Sequence, residues 1–181
     1  MEIDILPKTA RAQIHMVFIV VPRFNIATLI TMIETIRIAN YLAPTSIFSW
    51  EVASFDGSKI IASNGMTAAI KTANDNLKPA EFVFILGSWG TEHYHNQQLT
   101  AWLRKRARAG ERICGVELGS YIVARAGLLD GKLATIHWSW LNGFKENFDR
   151  VEVVESLFTL DSKVMSCSGG LAGVDLMLRI I

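Results

Sequence analysis

A glutamate stands where many α/β proteins place a catalytic nucleophile. Gly115 and Gly119 lie two residues before and two residues after Glu117. The apolar run 112–116 precedes this acid and the small-residue segment 120–127 follows it, which predicts a strand that turns sharply into a helix. This is the pattern of a nucleophile elbow, in which the pivot is strained and glycines let the two backbones pass closely. The pivot is usually Ser or Cys, so the chemistry here must be that of a carboxyl group.

Other polar and aromatic residues follow two further predicted strands. Ligands in parallel α/β sheets gather at the carboxyl ends of the strands, so we expect these residues to lie near Glu117. They are Gly87, Ser88 and Trp89 after the strand 81–86, and His137 and Trp138 after the strand 133–136.

Hydrophobic patterning predicts the elements that position these residues. Short apolar runs rich in Val, Ile and Phe are typical of strands covered on both faces, and they alternate with helical patterns, which indicates an α/β fold with a mostly parallel sheet. We expect strands near 14–21, 49–55, 81–86, 112–116 and 163–167, with helices near 25–41 and 96–109. Residues 1–12 are predicted to form a loose arm and 13–181 one domain.

Composition excludes several classes of protein. The 181 residues are 50% hydrophobic, but the apolar runs are shorter than the ~18 residues of a membrane span, and no signal peptide begins the chain. Two cysteines build neither a disulfide framework nor a zinc site. A net charge of +1 argues against strong nucleic-acid binding by this chain itself. We therefore expect a cytoplasmic protein without a metal or a cofactor.

Several strings of sequence, in order, resemble one family. They are Glu34-Thr35-Ile36-Arg37-Ile38-Ala39-Asn40, Ser54-Phe55-Asp56-Gly57, the elbow Gly115 to Ser120, Ala124 to Gly131, Ala134 to Trp138, and Gly169-Gly170 with Asp175 beyond. Together they resemble the N-terminal domain of arabinose-regulator-type (AraC, GlxA-like) transcription factors. That domain is the PfpI-type branch of the class I glutamine amidotransferase-like superfamily, and the resemblance covers residues 13–181.

The resemblance implies a flavodoxin-like three-layer α/β/α sandwich, commonly a homodimer, that binds a small effector. In such a regulator, DNA is bound by a C-terminal pair of helix-turn-helix units, which these 181 residues do not contain. The last helix reaches Ile181 with no cap or polar tail, so we expect the natural protein to continue. The sequence is most similar in character to regulators of carnitine, glycine-betaine and arginine catabolism.

The enzymatic pattern of the superfamily is missing at the elbow. Related hydrolases have a cysteine at the pivot followed by a histidine, whereas this chain has Glu117 followed by Leu118. Three interpretations of Glu117 remain open: an unconventional carboxylate nucleophile, an anchor for a ligand ammonium or hydroxyl group, or a cap of its own helix. At the start of the elbow helix, the carboxylate is expected to stay ionised.

By resemblance, Glu34 on the first helix lies next to the elbow residue. Two neighbouring carboxylates repel each other, and a cation between them relieves that repulsion. The alternative is that Glu34 only pairs with Arg37. Trp89 and Trp138 would add aromatic faces that attract ammonium groups, unless they are ordinary core or dimer surface. Gly87 and Ser88 would offer backbone N–H groups, to an oxyanion in an enzyme or to a ligand carboxylate in a sensor. His137 is either a hydrogen-bonded core histidine or a catalytic one.

The sequence thus predicts a non-catalytic effector-binding domain of a transcriptional regulator, sensing an amine, a betaine or an amino acid. The predicted ligand-binding residues are Glu34, Gly87, Ser88, Trp89, Glu117, Leu118, His137 and Trp138. A PfpI-like hydrolase that uses Glu117, and a dimerisation domain with a vestigial pocket, are the alternatives. The effector, the DNA site and the sign of regulation are not readable from the sequence.

Overall fold

A seven-stranded sheet forms the centre of the molecule. The computed structural model describes residues 13–72 and 76–181, so the predicted loose arm 1–12 lies outside the described residues. The strands are β1 Ile14–Val20, β2 Phe48–Ser54, β3 Lys59–Ile61, β4 Thr67–Ala69, β5 Lys71–Thr72, β6 Phe82–Gly87, β7 Arg112–Glu117, β8 Leu133–Ala134, β9 Glu152–Val153, β10 Phe158–Thr159 and β11 Val164–Cys167. The helices are α1 Ile26–Leu42, α2 Gln97–Arg108, α3 Gly119–Arg125, α4 Leu141–Asn147 and α5 Ala172–Ile180.

The strand order of the main sheet is β10-β11-β7-β6-β1-β2-β5. Every described pairing in this sheet is parallel except that of β10 with β11, which is antiparallel. The pairs β3–β4 and β8–β9 form two small accessory sheets. The predicted α/β fold with a mostly parallel sheet is therefore confirmed, and the parallel order brings the carboxyl ends of β6, β7 and β11 to one edge.

Two apolar cores, one on each face of the sheet, make the three layers of the sandwich. Helices α1 and α5 cover one face through residues such as Met32, Ile36 and Leu176. Helices α2, α3 and α4 cover the other face through residues such as Leu103 and Phe144. Alternate side chains of each strand point to opposite faces, which is why the central strands read as unbroken apolar runs.

Helix α1 begins where the sequence predicts. The side chain of Asn25 accepts hydrogen bonds from the backbone N–H groups of Ala27 and Thr28, which satisfies donors that have no partner within the helix. Its buried positions include Thr28, Met32 and Ile36, a four-residue spacing that places one stripe of the helix against the sheet.

The connection between β7 and α3 is held by very close backbone contacts. A Cβ atom built on Gly119 would lie 1.9 Å from the carbonyl oxygen of Ile85 in β6. A Cβ atom on Gly115 would lie 2.6 Å from the Cα atom of Ser120. Gly119 is therefore required by the packing of the elbow against β6, and Gly115 by the packing of β7 against α3.

Within the described residues, no helix has both the length and the apolar character that crossing a membrane requires.

We predict that Gly119→Ala destabilises the chain by about 3 kcal/mol or more, because the added methyl group meets backbone that cannot rotate away. Gly143→Ala is the matched control, since Gly143 lies in α4 and a Cβ there would meet nothing closer than the Tyr121 hydroxyl at 3.6 Å. The control should be neutral or more stable by about 0.5 kcal/mol, as expected for Gly to Ala in a helix. Urea unfolding of the two variants makes the comparison, and equal stabilities would contradict the packing described.

Candidate functional site

Glu117 is the pivot of the elbow, as predicted, and its backbone is strained. It has φ of 55°, a left-handed conformation that only two described non-glycine residues adopt. A non-glycine residue in this region costs about 1 kcal/mol or more and persists only where its surroundings hold it. Gly87 lies opposite Glu117 in the β6–β7 pairing, and the next residue, Leu118, donates its N–H to the Gly87 carbonyl at 3.2 Å.

The two carboxyl oxygens of Glu117 have different surroundings. The Ser88 hydroxyl donates to Oε1 at 2.6 Å, whereas Oε2 is buried and has no hydrogen-bond partner among the described residues. Oε2 lies against Gly169, because a Cβ atom at that glycine would be only 2.9 Å from it. A glycine at position 169 is therefore what leaves room for the acid.

Burial controls the protonation of Glu117. The residue is 4% exposed, and loss of solvation raises the pKa of its carboxyl group, while the Ser88 hydroxyl, the Asn25 amide and the charge of His137 lower that pKa to a smaller extent. Burial therefore opposes the ionised form that the start of the helix was expected to favour. The free-energy cost of desolvating the carboxylate exceeds the stabilisation that these three partners give it.

Glu117 forms part of the floor of a cavity of about 660 Å³ at the carboxyl edge of the sheet. This is within the range of small-molecule sites. The described lining residues are Asn25, Ser63, Ser88, Trp89, Glu117, Thr135, Ile136, His137, Trp138, Leu141, Glu155, Ser156, Leu157, Ser168, Gly169 and Gly170. Trp89 and Trp138 are 59% and 72% exposed, so their aromatic faces remain open to a ligand.

Five of the eight predicted site residues line this cavity. They are Ser88, Trp89, Glu117, His137 and Trp138. That these side chains contact a ligand remains a prediction.

Glu34 is not brought to the cavity. Its carboxylate accepts hydrogen bonds from the Arg37 guanidinium at 2.7–2.8 Å on the exposed surface of α1. Position 34 is two residues beyond buried Met32, about 200° round the helix, so its side chain points away from the sheet. The alternative of a simple pair with Arg37 is correct, and the predicted pair of Glu34 with Glu117 is wrong.

Gly87 and Leu118 also lie outside the cavity lining. A Cβ atom on Gly87 would meet the Thr91 side chain at 2.6 Å, so this glycine is required by packing within its own loop. The side chain of Leu118 is fully buried in the core on the α3 side of the sheet. Because the Leu118 N–H already bonds to the Gly87 carbonyl, it is not free to serve a ligand.

Sequence reasoning missed one wall of the cavity, formed by Glu155, Ser156 and Leu157. The Thr135 hydroxyl donates to the Ser156 carbonyl at 2.8 Å, and the Ser168 N–H donates to the Leu157 carbonyl at 2.8 Å. These bonds fix the wall to two neighbouring segments. The residues lie between short strands with no motif of their own, so the sequence held no signal for them.

The Gly169-Gly170 pair did carry a signal in the sequence. Both glycines have positive φ, 88° and 56°, and the Gly170 N–H donates to the Thr28 hydroxyl at 3.0 Å. The pair therefore makes the turn from β11 into α5 and closes the cavity beside Glu117.

The imidazole ring of His137 is oriented by hydrogen bonds with Ser139. Its Nδ1 atom lies 2.8 Å from the Ser139 hydroxyl and 3.4 Å from the Ser139 backbone nitrogen, which donates to it. An imidazole that accepts at Nδ1 carries its proton on Nε2 when neutral. His137 thus offers the cavity an N–H donor.

Neither cysteine lies in the cavity lining. Cys114 is buried within β7, and desolvation raises the pKa of its thiol well above the ordinary value. Burial likewise raises the pKa of the Cys167 thiol to about 12. Thiols in such surroundings are weak nucleophiles.

Across the described residues, no group of three or more His, Cys, Asp or Glu side chains is placed to hold a metal ion.

The raised pKa of Glu117 predicts how stability depends on pH. The folded chain binds the proton more tightly than the unfolded chain, whose glutamates titrate near about 4.3. The free energy of unfolding of the natural chain, relative to that of Glu117→Gln, should therefore fall as pH rises from about 4.3 through the folded pKa. The fall is about 1.4 kcal/mol for each unit between the two pKa values.

Glu51→Gln is the control of opposite sign, because the Lys71 ammonium group lowers the pKa of Glu51. The stability that Glu51 contributes should be present above about 4.3 and lost at lower pH. Denaturant unfolding between pH 3.5 and 8 would measure both. A Glu117 difference that stays constant or grows with rising pH would show that the carboxyl group is not destabilised by burial.

A profile of the DJ-1/PfpI family matches residues 23–181. Among curated relatives, the chain is 34% identical over 164 residues to the HTH-type transcriptional regulator CdhR of Pseudomonas aeruginosa, covering 91% of this chain and 48% of the relative. It is 33% identical to the regulator GbdR of the same species, with 91% and 45% covered. The chain thus spans about half the length of the curated relatives it matches.

Solved structures agree on the fold. The chain superposes on an AraC family transcriptional regulator from Pseudomonas putida with a TM-score of 0.83 at 23% identity, covering 91% of this chain and 89% of that one. It superposes on Drosophila melanogaster DJ-1beta with a TM-score of 0.79 at 16% identity, covering 93% and 89%. With the elbow geometry and the match over residues 23–181, these findings show that the chain belongs to the DJ-1/PfpI family.

Proposed function

We propose that this chain is the effector-binding, non-catalytic domain of an AraC-type transcriptional regulator. The curated relatives described above are HTH-type transcriptional regulators, and the chain aligns with about half of each. That coverage supports a sensing domain that acts together with a separate DNA-binding domain. Homodimerisation and a cytoplasmic location are parts of the same proposal.

The observation that carries this proposal is the buried carboxyl group of Glu117 at the floor of an open cavity. The fold provides the elbow, the strained pivot and the neighbouring hydroxyl of Ser88, but the reactive group is an acid with an unsatisfied oxygen. A buried polar atom without a partner lowers stability. No side-chain cap bond is formed at the start of α3, so the Glu117 carboxyl group is a recognition group at the cavity floor and not a cap of its own helix.

The ligand proposed is a small metabolite with a positively charged nitrogen, which is an amine, a betaine or an amino acid. The cavity combines acidic side chains with the faces of Trp89 and Trp138, and ammonium groups are attracted both to carboxylates and to aromatic faces. A volume of about 660 Å³ is ample for such a molecule.

A hydrolase that uses Glu117 as its nucleophile is the alternative. Burial raises the pKa of Glu117, which reduces the ionised fraction that could attack. In the described residues, no base accepts a proton beside it, because its polar neighbours are the Ser88 hydroxyl and the Asn25 amide and Nδ1 of His137 is engaged by Ser139. These contacts support recognition over catalysis.

We predict that at least one member of a panel of amines, betaines and amino acids stabilises the chain. At ~100 times the dissociation constant, a ligand adds about 2.7 kcal/mol, which for a domain of this size raises the melting temperature by about 5–10 °C. Glu117→Gln should abolish the shift, whereas Glu111→Gln should retain it. Glu111 is also buried but lies outside the cavity, paired with Arg106.

Thermal unfolding of each variant, with and without ligand, makes the measurement. Absence of any ligand shift across the panel would favour a scaffold with a vestigial pocket. Hydrolysis of amide or ester substrates that Glu117→Gln abolishes would favour the enzyme and contradict the sensor role.

A further inference from the structure

The outer side of α1 carries a row of four residues in which two apolar side chains flank two charged ones. They are Ile30, Glu34, Arg37 and Tyr41, separated by four, three and four residues. At about 100° of rotation per residue, the four positions fall within about 60° of one another round the helix. They therefore form a single line along α1, the α1 stripe, on the side opposite to the buried residues Met32 and Ile36.

The apolar members of the α1 stripe are open to solvent in the single chain. Ile30 is 50% exposed and Tyr41 is 83% exposed. Ile38 in α1 and Leu178 in the neighbouring helix α5 are also exposed. Large apolar side chains gathered on one layer of a fold mark a site of protein association.

Helix α1 has almost no charged face to turn to water. Glu34 and Arg37 are the two charged side chains among its 17 residues, and they bond to each other at 2.7–2.8 Å. A helix at the surface of a lone domain normally has a charged side, whereas a helix that is apolar nearly all round is normally buried. The composition of α1 therefore fits a helix whose outer side is covered by another molecule.

The α1 stripe is complementary to its own reverse. Its spacing of four, three and four residues is the same from either end, and reversal exchanges the acid with the base and one apolar residue with the other. Two copies of α1 that meet antiparallel about a two-fold axis therefore bring Glu34 opposite the partner's Arg37, and Ile30 opposite the partner's Tyr41. A two-fold interface requires a self-complementary surface of this kind.

The charges of the α1 stripe favour a second copy over an unlike partner. A basic surface would face Arg37 and an acidic surface would face Glu34, and like charges at an interface are unfavourable. A second copy gives each of these side chains an opposite charge in addition to its partner within the helix, so four charges form one compensated cluster. A network of this kind contributes more than an isolated surface pair.

We propose that two copies of this chain associate through antiparallel contact of their α1 stripes. The inference rests on the homodimerisation included in the proposed function, and it adds the face and the pairing of residues. Asn25 caps α1 and also lines the cavity, so the helix that forms this interface begins at the proposed effector site.

Sedimentation equilibrium over a range of concentrations measures the association, and the unmodified chain should reach twice the mass of one chain. Ile30→Lys should weaken the dimer about tenfold or more, because each dimer loses two apolar contacts and must desolvate two ammonium groups. Leu133→Lys is the matched control, since Leu133 in β8 is also 50% exposed but lies outside α1 and α5. The control should leave the dimer unchanged.

Charge reversal tests the pairing itself. Glu34→Arg and Arg37→Glu should each weaken self-association about tenfold or more, because each places two like-charged pairs in the interface. An equimolar mixture of the two variants should form a heterodimer, since every reversed position then faces an opposite charge. The double variant with both changes should self-associate as the unmodified chain does. Both positions are exposed, so thermal unfolding should show that each variant stays folded.

The outcomes separate this inference from the proposed function. A dimer that persists unchanged in Ile30→Lys and in both charge reversals uses another face, so the inference is overturned while homodimerisation stands. Two weakened variants that do not associate when mixed overturn the antiparallel pairing. A chain that stays monomeric at every concentration removes homodimerisation and this inference together, and it leaves effector sensing to be decided by the ligand-dependent thermal shift.

Discussion

The close approach of α3 to β6 is the constraint on which the site depends. Gly119 lies so near the Ile85 carbonyl that no side chain fits between them, and this contact forces the chain to turn within one residue after β7. Glu117 takes up the turn in a left-handed conformation. The strain is tolerated because the sheet on one side and α3 on the other leave the backbone no other path, and the result is a side chain aimed into the cavity at the edge of the sheet.

The chemical character of the site follows from what that geometry does to a carboxyl group. A nucleophile at the pivot needs neighbours that favour its anion, but the cavity floor here disfavours charge, because desolvation raises the pKa of Glu117. Ser88 satisfies one oxygen and Gly169 leaves space for the other without bonding to it. The scaffold that could position a nucleophile therefore positions a buried carboxyl group, and its Oε2 atom has no close hydrogen-bond partner among the residues that the structure describes.

The elements of the fold were largely predictable, because the signals for them are local. Helix α1 starts at its cap residue Asn25, where a helix was expected to begin. The apolar runs form the parallel strands, and the spacing of Gly115 and Gly119 identifies the elbow. The site was predictable only where its residues directly follow strands, as Ser88, Trp89, His137 and Trp138 do. The prediction for Glu34 was wrong because the family resemblance placed it on the right helix but did not show which side of that helix it occupies. In the structure it lies on the outer side of α1, paired with Arg37. The wall at Glu155 depends on tertiary hydrogen bonds from Thr135 and Ser168, which no local pattern encodes.

Glu117 is, on this account, a buried carboxyl group whose pKa is raised by desolvation and falls when an amine occupies the cavity. Nuclear magnetic resonance of the ¹³C-labelled glutamate carboxyl groups, with the Glu117 signal assigned by its loss in Glu117→Gln, tests this claim most directly. We expect this carboxyl group to titrate above the ordinary glutamate range in the free chain, and its apparent pKa to fall when a bound amine supplies a positive charge. A Glu117 signal that titrates near about 4.3 and does not respond to any amine would contradict the account.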